Sequence, residues 1–455
     1  MPTAYTILFL LLILVAAATW IIPAGSYDYV DGVPVAGTYH PVEQNPQGVG
    51  DVLKAAFSGF YDAVDVCIFI LMVGGFLGVV MKTGAVDAGV ANIIRLLGGR
   101  EKWLIPILML LFGLGGTTYG MWEETMAFYP LLIPVFLAAG YDAVVGISVI
   151  LLGAGAGVIA STVNPFATGI AAGFAGVSLG EGIVLRLLEW VAFEAAAIWF
   201  VMAYAAKVKK NPSKSVVGVG AGKIQVSMDQ QVPFTAKRKV IMALFTLTFL
   251  IMVYAVVPFD EMGLPLPTLG WWFPELSALF LVAGVVIGLI DRMSEEELVE
   301  IYVAGCADLL GVAFIIGISR GITVLMNDGS ITDTVLHWGE QALSGAGAIS
   351  FTLLVFALYL PLTILIPSSS GLATLSIPIV APLGKFAGVG GDLVVTAFQS
   401  ASGLVNIITP TAAVLMGALA LGHVPYDRWV KYVWKLMLWF LLLALAFLVA
   451  GVLLG

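Results

Sequence analysis

This sequence has little charge for its length. Only 11% of its 455 residues are Asp, Glu, Lys or Arg, against 60% hydrophobic residues, and the mean hydropathy is +1.04. A soluble globule of this size needs far more polar side chains to cover itself, so that class is excluded. Cysteine is nearly absent. Cys67 and Cys306 lie near the starts of predicted membrane helices at unrelated depths, which gives no support to a disulfide framework or a metal cluster. Histidine is almost as scarce, and His40, His337 and His423 all fall in predicted loops. Two G-x-S-x-G strings, GVSLG at Gly176 to Gly180 and GISRG at Gly317 to Gly321, therefore lack the histidine partner and the strand that a nucleophile elbow needs, and no H-E-x-x-H occurs. Neither an enzyme nor a cofactor is expected, and the net charge of -9 implies no nucleic-acid partner. A basic leader is also missing ahead of Tyr5 to Ile22, so that run reads as a first crossing and not as a signal peptide.

What is abundant is apolar runs of about 20 residues, the length a helix needs to cross roughly 30 Å of hydrocarbon, so an all-α polytopic membrane protein is expected. Crossings are predicted near 3–24, 63–82, 143–178, 183–205, 237–257, 272–290, 309–326, 392–421 and 432–454. Two further apolar regions, 103–140 and 349–384, are interrupted by GGTTYGMWEE and IPSSSGLA. Basic loops stay cytoplasmic. Lys82, Arg95, Arg100 and Lys102 form one basic group; Lys207, Lys209, Lys210, Lys214, Lys223, Lys237, Arg238 and Lys239 a second; Arg428, Lys431 and Lys435 a third. Loop 25–54, with Asp28, Asp31, Glu43 and Asp51 against one lysine, and the loop around Asp260 and Glu261 belong outside. The N-terminus is then cytoplasmic, in a chain spanning the inner (cytoplasmic) membrane. Each interrupted region must enter and leave on one side, as a re-entrant hairpin or as a pair of short crossings.

The second half repeats the first. Gly59 to Asp62 (GFYD) matches Gly305 to Asp308 (GCAD) at a spacing of 246, and Met81 to Gly84 (MKTG) matches Met326 to Gly329 (MNDG) at 245. Pro130, Pro134 and Gly140 correspond to Pro378, Pro382 and Gly388 at 248, and Asn164-Pro165 to Thr409-Pro410 at 245. Ordered matches at a nearly constant spacing signify duplication. The expected division is a first repeat over 1–205, a linker and connecting crossing over 206–257, and a second repeat over 258–455. Four crossings plus one connecting crossing is an odd number, which inverts the second repeat, as in many secondary transporters.

Polar stretches interrupt each copy twice. One pair is the hairpin turns, with Thr117, Glu123 and Glu124 in the first and Ser368, Ser369 and Ser370 in the second. The other pair breaks the crossings that follow: GVIASTVNPF carries Ser161, Thr162, Asn164 and Pro165, and SASGLVNIITPT carries Ser402, Asn406, Thr409, Pro410 and Thr411. A proline deep in a membrane helix removes a donor and frees a carbonyl, which needs a partner or an ion. Hydroxyls and amides there can hold a cation, and half-helix N-termini favour a carboxylate; a kink satisfied locally is the structural alternative. Candidate solute ligands are Glu123, Glu124, Thr117, Ser368, Ser369, Ser370, Asn164, Thr409 and Arg320. Candidate ligands of a coupling cation are Ser161, Thr162, Asn164, Ser402, Asn406, Thr409 and Thr411. A carboxylate at the centre of a membrane costs on the order of 3 kcal/mol, so Glu123 and Glu124 must meet water, a cation or a proton. A salt bridge to Arg320 is the alternative to a solute contact. Asp62 and Asp308 are placed at helix starts, in capping or packing roles.

Together, MWEETMAFYPLLIPVFLAAGYD, ASTVNPFATGIAAG, GISRGITVLMNDGSITDTVL and IPSSSGLATLSIPIVAPLG resemble the YfcC-like branch of the anaerobic C4-dicarboxylate carrier family, within the ion transporter superfamily. The resemblance implies a homodimer with a scaffold and a mobile transport domain working as an elevator, and sites built from two hairpins and two broken helices. Relatives are associated with dicarboxylates, basic amino acids such as arginine and ornithine, and short fatty acids. The superfamily's Ser-Asn-Thr style motif is matched by Ser161 to Asn164 and, more loosely, by Asn406 to Thr409, so Na+, H+ or an exchanged solute are all open as coupling partners. The paired glutamates favour an amino acid as solute, with its carboxylate met by Ser368 to Ser370 or Arg320. A C4-dicarboxylate or other organic anion is the alternative, and a channel a distant one.

Overall fold

The computed structural model describes residues 4–454 apart from 31–32, 87, 90–91, 93–99, 179, 219–233, 257–258, 260–264 and 272. Asp31, Arg95, Lys223, Asp260 and Glu261, used above to orient loops, lie outside the described residues.

Helix dominates, because in hydrocarbon each peptide group must find its partner within the chain. The chain begins with α1 (Ala4–Ala18), α2 (Val49–Asp62) and α3 (Val64–Lys82). Next come α4 (Leu104–Tyr119) and α5 (Tyr129–Ala138), the arms of the first interrupted region, joined through a 3-10 segment, Glu123–Phe128. At ten residues α5 rises about 15 Å, half the hydrocarbon thickness. The first broken crossing is α6 (Ala143–Ile159) with α7 (Ile170–Ala175); α8 (Ile183–Lys210), α9 (Ala236–Val256), α10 (Phe273–Asp291), α11 (Glu295–Asp328) and α12 (Thr332–Leu343) follow. The second interrupted region is α13 (Ala348–Leu365) and α14 (Ser369–Phe386), the second broken crossing is α15 (Gly391–Asn406) with α16 (Ala413–Leu421), and α17 (Tyr426–Leu454) ends the described chain. Helices α3, α10, α11, α13 and α17 are each long and apolar enough to cross a membrane.

Several expectations need correction. The loop predicted over 25–54 ends early, because α2 starts at Val49, where the Asp51 carboxylate accepts the Gly48 N–H at 2.9 Å. It also holds four two-residue strands, β1 (Gly25–Ser26) paired with β4 (His40–Pro41) and β2 (Tyr29–Val30) with β3 (Val33–Pro34), so the fold is not purely helical. The crossing placed at 309–326 is the later part of the 34-residue α11, whose first turns carry Glu295, Glu296, Glu297 and Glu300 and so lower the hydropathy there. Cys306 and Asp308 therefore lie within a helix, and Asp62 ends α2 where a helix start was expected. His337 sits on α12, stacked on Tyr39 with ring centroids 4.0 Å apart, and not in a loop.

Two groups of helices pack among themselves. In one, α1, α2 and α3 lie along α11, with α10 against α3; in the other, α4, α6 and α8 pack in sequence, α6 crosses α15, and α15 packs on α13 and α17. Glycines permit the closest approaches. A Cβ added at Gly59 would run into the carbonyl of Gly317 and sit 2.5 Å from Gly321 N, and one at Gly305 would meet Gly74 O and lie 3.1 Å from Gly75 Cα. Similarly, a Cβ on Gly155 would lie 2.9 Å from Ile407 Cδ1, and one on Gly403 2.6 Å from Ile159 Cα.

Because backbone cannot yield as a side-chain tip can, Gly305→Ala and Gly321→Ala should each destabilise the protein by about 1–3 kcal/mol, read as a lowered melting temperature in detergent. Gly173→Ala, where an added Cβ meets nothing within 4 Å, should leave it unchanged.

Candidate functional site

The first break is held by a threonine from the neighbouring arm. Helix α6 ends at Ile159, and its orphan Ala160 carbonyl accepts from Thr117 Oγ1 at 2.8 Å. In return Thr162 N–H and Thr162 Oγ1 donate to the Thr117 carbonyl at 2.8 and 2.9 Å. The amide of Gln399 reaches across from α15 and donates to Val158 O at 2.7 Å. Pro165 opens a π-helical turn in which Gly169 N–H donates to Asn164 O at 2.8 Å. The Asn164 amide lies under Gly120, whose φ is 77° and where an added Cβ would lie 2.6 Å from Asn164 Nδ2, so no side chain fits.

The second break is satisfied from α17. Trp429 Nε1 donates to Ile407 O at 3.0 Å and Tyr426 OH to Ile408 O at 2.6 Å. The Thr409 and Thr411 hydroxyls are 2.9 Å apart, and Ser319 Oγ on α11 donates to Thr411 O. Since Gly155 meets Ile407 and Gly403 meets Ile159, the ends of α6 and α15 pass each other within about one turn and bring the two breaks together.

Beside them lies a cavity of about 40 Å³ lined by Trp122, Glu123, Ser319, Arg320, Pro367, Asn406 and Thr411, among apolar residues. Arg320 Nε is 3.8 Å from Asp62 Oδ2, and among the described residues no ion pair joins it to Glu123 or Glu124. The adjacent glutamates differ: Glu124 folds back to accept Trp122 N–H at 3.1 Å, whereas Glu123 faces the cavity. A larger void of about 1250 Å³ opens between the two helix groups, bounded by Leu77, Met81, Tyr129, Asp308 and Arg428. Met126 and Val312 converge on Gly417 between the two spaces.

The remaining candidates are not gathered there. Thr117, Thr162 and Asn164 are engaged at the first break, and Thr409 bonds to Thr411. Ser368 caps α14 through Gly371 N–H at 3.2 Å and lies 3.5 Å from Ser370; Ser369 begins that helix. Ser161 and Ser402 keep buried hydroxyls without a hydrogen-bond partner among the described residues. Sequence reasoning passed over Arg186, Glu189 and Glu194, all buried on α8. Ser400 Oγ donates to Glu189 Oε1 at 2.7 Å, Arg186 Nη2 donates to Glu181 O at 3.0 Å, and both Glu194 oxygens lack a hydrogen-bond partner among the described residues. Three charges inside LRLLEWVAFEAA were the available signal.

This arrangement, polar helix breaks crossing inside an apolar bundle, fits a carrier, and comparison with known proteins agrees. The family model described as C4-dicarboxylate anaerobic carrier (DcuC) matches residues 1–453. The chain belongs to the C4-dicarboxylate anaerobic carrier family. As a member of it, and with its apolar helices, the chain is an integral membrane transporter and not an enzyme. It is 35% identical to an uncharacterized protein of Haemophilus influenzae, covering 99% of this chain and 97% of the relative. It is 31% identical to the Escherichia coli protein named "Putative basic amino acid antiporter YfcC", over 95% of this chain and 92% of that one. Two solved structures align over 98% of the chain: the Alcanivorax borkumensis YdaH transporter, at 14% identity, TM-score 0.47 and 98% of its length, and Neisseria gonorrhoeae MtrF, at 17%, 0.42 and 94%.

Removing a donor at the second break should expose the cost of an orphan carbonyl in lipid. Trp429→Phe is expected to destabilise this family member by about 1–3 kcal/mol, measured as thermal stability in detergent. Substituting the exposed Trp439 by Phe should have little effect.

Proposed function

We propose that the protein is a secondary transporter or exchanger of an amino acid, of the basic, arginine or ornithine type, working by alternating access, with Glu123 and Arg320 as the two poles that orient the solute. The observation carrying this reading is that one carboxylate and one guanidinium line a single cavity. An α-carboxylate suits the planar donor fork of Arg320, and an amino or guanidino group suits Glu123. The name of the Escherichia coli relative agrees. A C4-dicarboxylate, the solute in the family's description, is the second reading; it would bring two more negative charges to Glu123 and Asp62 against one arginine.

At about 40 Å³ the cavity has room for one or two waters, so the solute needs the walls to part. An elevator supplies that motion: the group around α11 serves as scaffold, and the group containing both hairpins and both breaks moves against it. The void of about 1250 Å³ between them, ending near Met81 and Arg428, is then the vestibule of a cytoplasm-facing state.

The inverted repeat is supported by reciprocal contacts. Gly59 meets Gly321 and Gly75 meets Gly305; the sequence spacing of 246 exchanges one pair for the other, and along the chain one partner rises as the other falls. That is the signature of equivalent helices related by a two-fold axis and running antiparallel. The breaks behave likewise, Gly155 with Ile407 and Ile159 with Gly403 exchanging at a spacing of 248. This symmetry supports the division into repeats over 1–205 and 258–455, joined by 206–257. Exposed Leu53, Phe57 and Tyr61 on α2 offer the scaffold an apolar face for a homodimer. The unpartnered hydroxyls of Ser161 and Ser402 offer a coupling Na+ two ligands at the breaks, with H+ the other candidate ion.

Counterflow of labelled arginine in proteoliposomes tests the assignment. Glu123→Gln and Arg320→Gln should each reduce the rate at least about tenfold, the loss of one charged hydrogen bond of about 1.5–3 kcal/mol. Glu124→Gln should remain within about twofold, given its turn toward Trp122 N–H. Parental rates in folded Glu123→Gln would remove that residue from the site.

A further inference from the structure

Away from the helix breaks, a cavity of about 360 Å³ lies between the start of α4 and the end of α8. Its rim is basic, with Lys102, Lys209 and Lys210. Lys209 is already engaged, 3.0 Å from Glu101 Oε2 and 4.9 Å from the Tyr141 ring centroid. Neither Lys102 nor Lys210 has a carboxylate within salt-bridge distance among the described residues. Three lysines against one glutamate leave two positive charges without a carboxylate partner among the described residues.

The wall below them is apolar. Ile105 is the second residue of α4, and Met202 and Ala206 lie on α8. Met202 is eight residues before Lys210 on the same helix, so it sits about 12 Å farther along the axis toward the bilayer centre. Trp103, 57% exposed, stands beside Lys102 in the position that aromatic residues take at a lipid interface. A groove that is cationic at the membrane surface and hydrocarbon-like beneath matches one ligand chemistry, a phosphodiester attached to acyl chains.

We infer that this groove is a binding site for one anionic phospholipid, with the phosphate between Lys102 and Lys210 and an acyl chain along Ile105, Met202 and Ala206. Free inorganic phosphate shares the headgroup chemistry but would leave the apolar wall uncovered. The inference rests on the membrane reading alone and not on the identity of the solute. Since α4 is an arm of the hairpin that carries Glu123, a lipid here would brace the base of that hairpin against α8.

Native mass spectrometry of the full chain, titrated with phosphatidylglycerol or with phosphatidylcholine of the same acyl chains, tests it. One phosphatidylglycerol per chain should be retained preferentially. Lys102→Gln with Lys210→Gln should weaken its binding about 30-fold, since each lysine contributes about 1 kcal/mol toward an anionic lipid and about 1.4 kcal/mol is tenfold. The charge-preserving pair Lys102→Arg with Lys210→Arg should retain it, as should Lys239→Gln with Lys435→Gln, which lie outside the groove. Equal retention of both lipids, unaltered phosphatidylglycerol binding in the Gln pair, or displacement of the lipid by millimolar inorganic phosphate would overturn the assignment.

Discussion

A peptide carbonyl without a donor is the constraint on which this structure turns. In water, the last carbonyls of a helix find solvent; in hydrocarbon each one left unpaired costs several kcal/mol. The chain interrupts two apolar helical runs, after Ile159 and after Asn406, and must supply donors at both. Thr117 and Gln399 serve the first, and Tyr426 and Trp429 the second. Each break is therefore bound to elements distant in sequence, and the packing of α4, α15 and α17 follows from the need to reach it.

Once stabilised, the breaks furnish polarity where the bilayer allows almost none. The cavity beside them has Asn406 and Thr411 from one break, Ser319 and Arg320 from α11, and Glu123 from the first hairpin. Among the described residues Arg320 has one ion pair, with Asp62 at 3.8 Å, whose side chain is half exposed. A guanidinium so weakly committed keeps donors for something else. The 3-10 turn after Trp122 sends the two adjacent glutamates different ways, so one serves the turn and the other the cavity.

Much of this was legible in the residues, for identifiable reasons. Proline beside an amide or hydroxyl residue within an apolar run pointed to the breaks, so Asn164-Pro165 and Thr409-Pro410 located both interruptions, whereas Pro134, Pro361, Pro378 and Pro382 are accommodated inside helices; GGTTYGMWEE and IPSSSGLA located the turns. A hydropathy average falls where charges cluster, so α2, with Asp51, Lys54 and Asp62, and the first turns of α11, with Glu295, Glu296, Glu297 and Glu300, were missed. Averaging over a crossing also concealed Arg186, Glu189 and Glu194, three charges diluted in one apolar helix. Which glutamate faces the cavity depends on the backbone of Trp122, with φ -135° and ψ -67°, and no residue pattern announces that. The pairing of Arg320 with Asp62 was equally hidden, because it joins two helices whose approach is set by glycines some 260 residues apart in sequence.

Glu123 and Arg320 give the cavity beside the breaks two poles, and the proposed solute carries charges of both signs. Thermal-shift titration of the purified protein against arginine, ornithine, succinate and fumarate addresses this match most directly, because a ligand bound only by the folded state raises the melting temperature. A saturable rise of a few degrees is expected with arginine or ornithine and none with the dicarboxylates. A rise with succinate or fumarate alone would contradict the match.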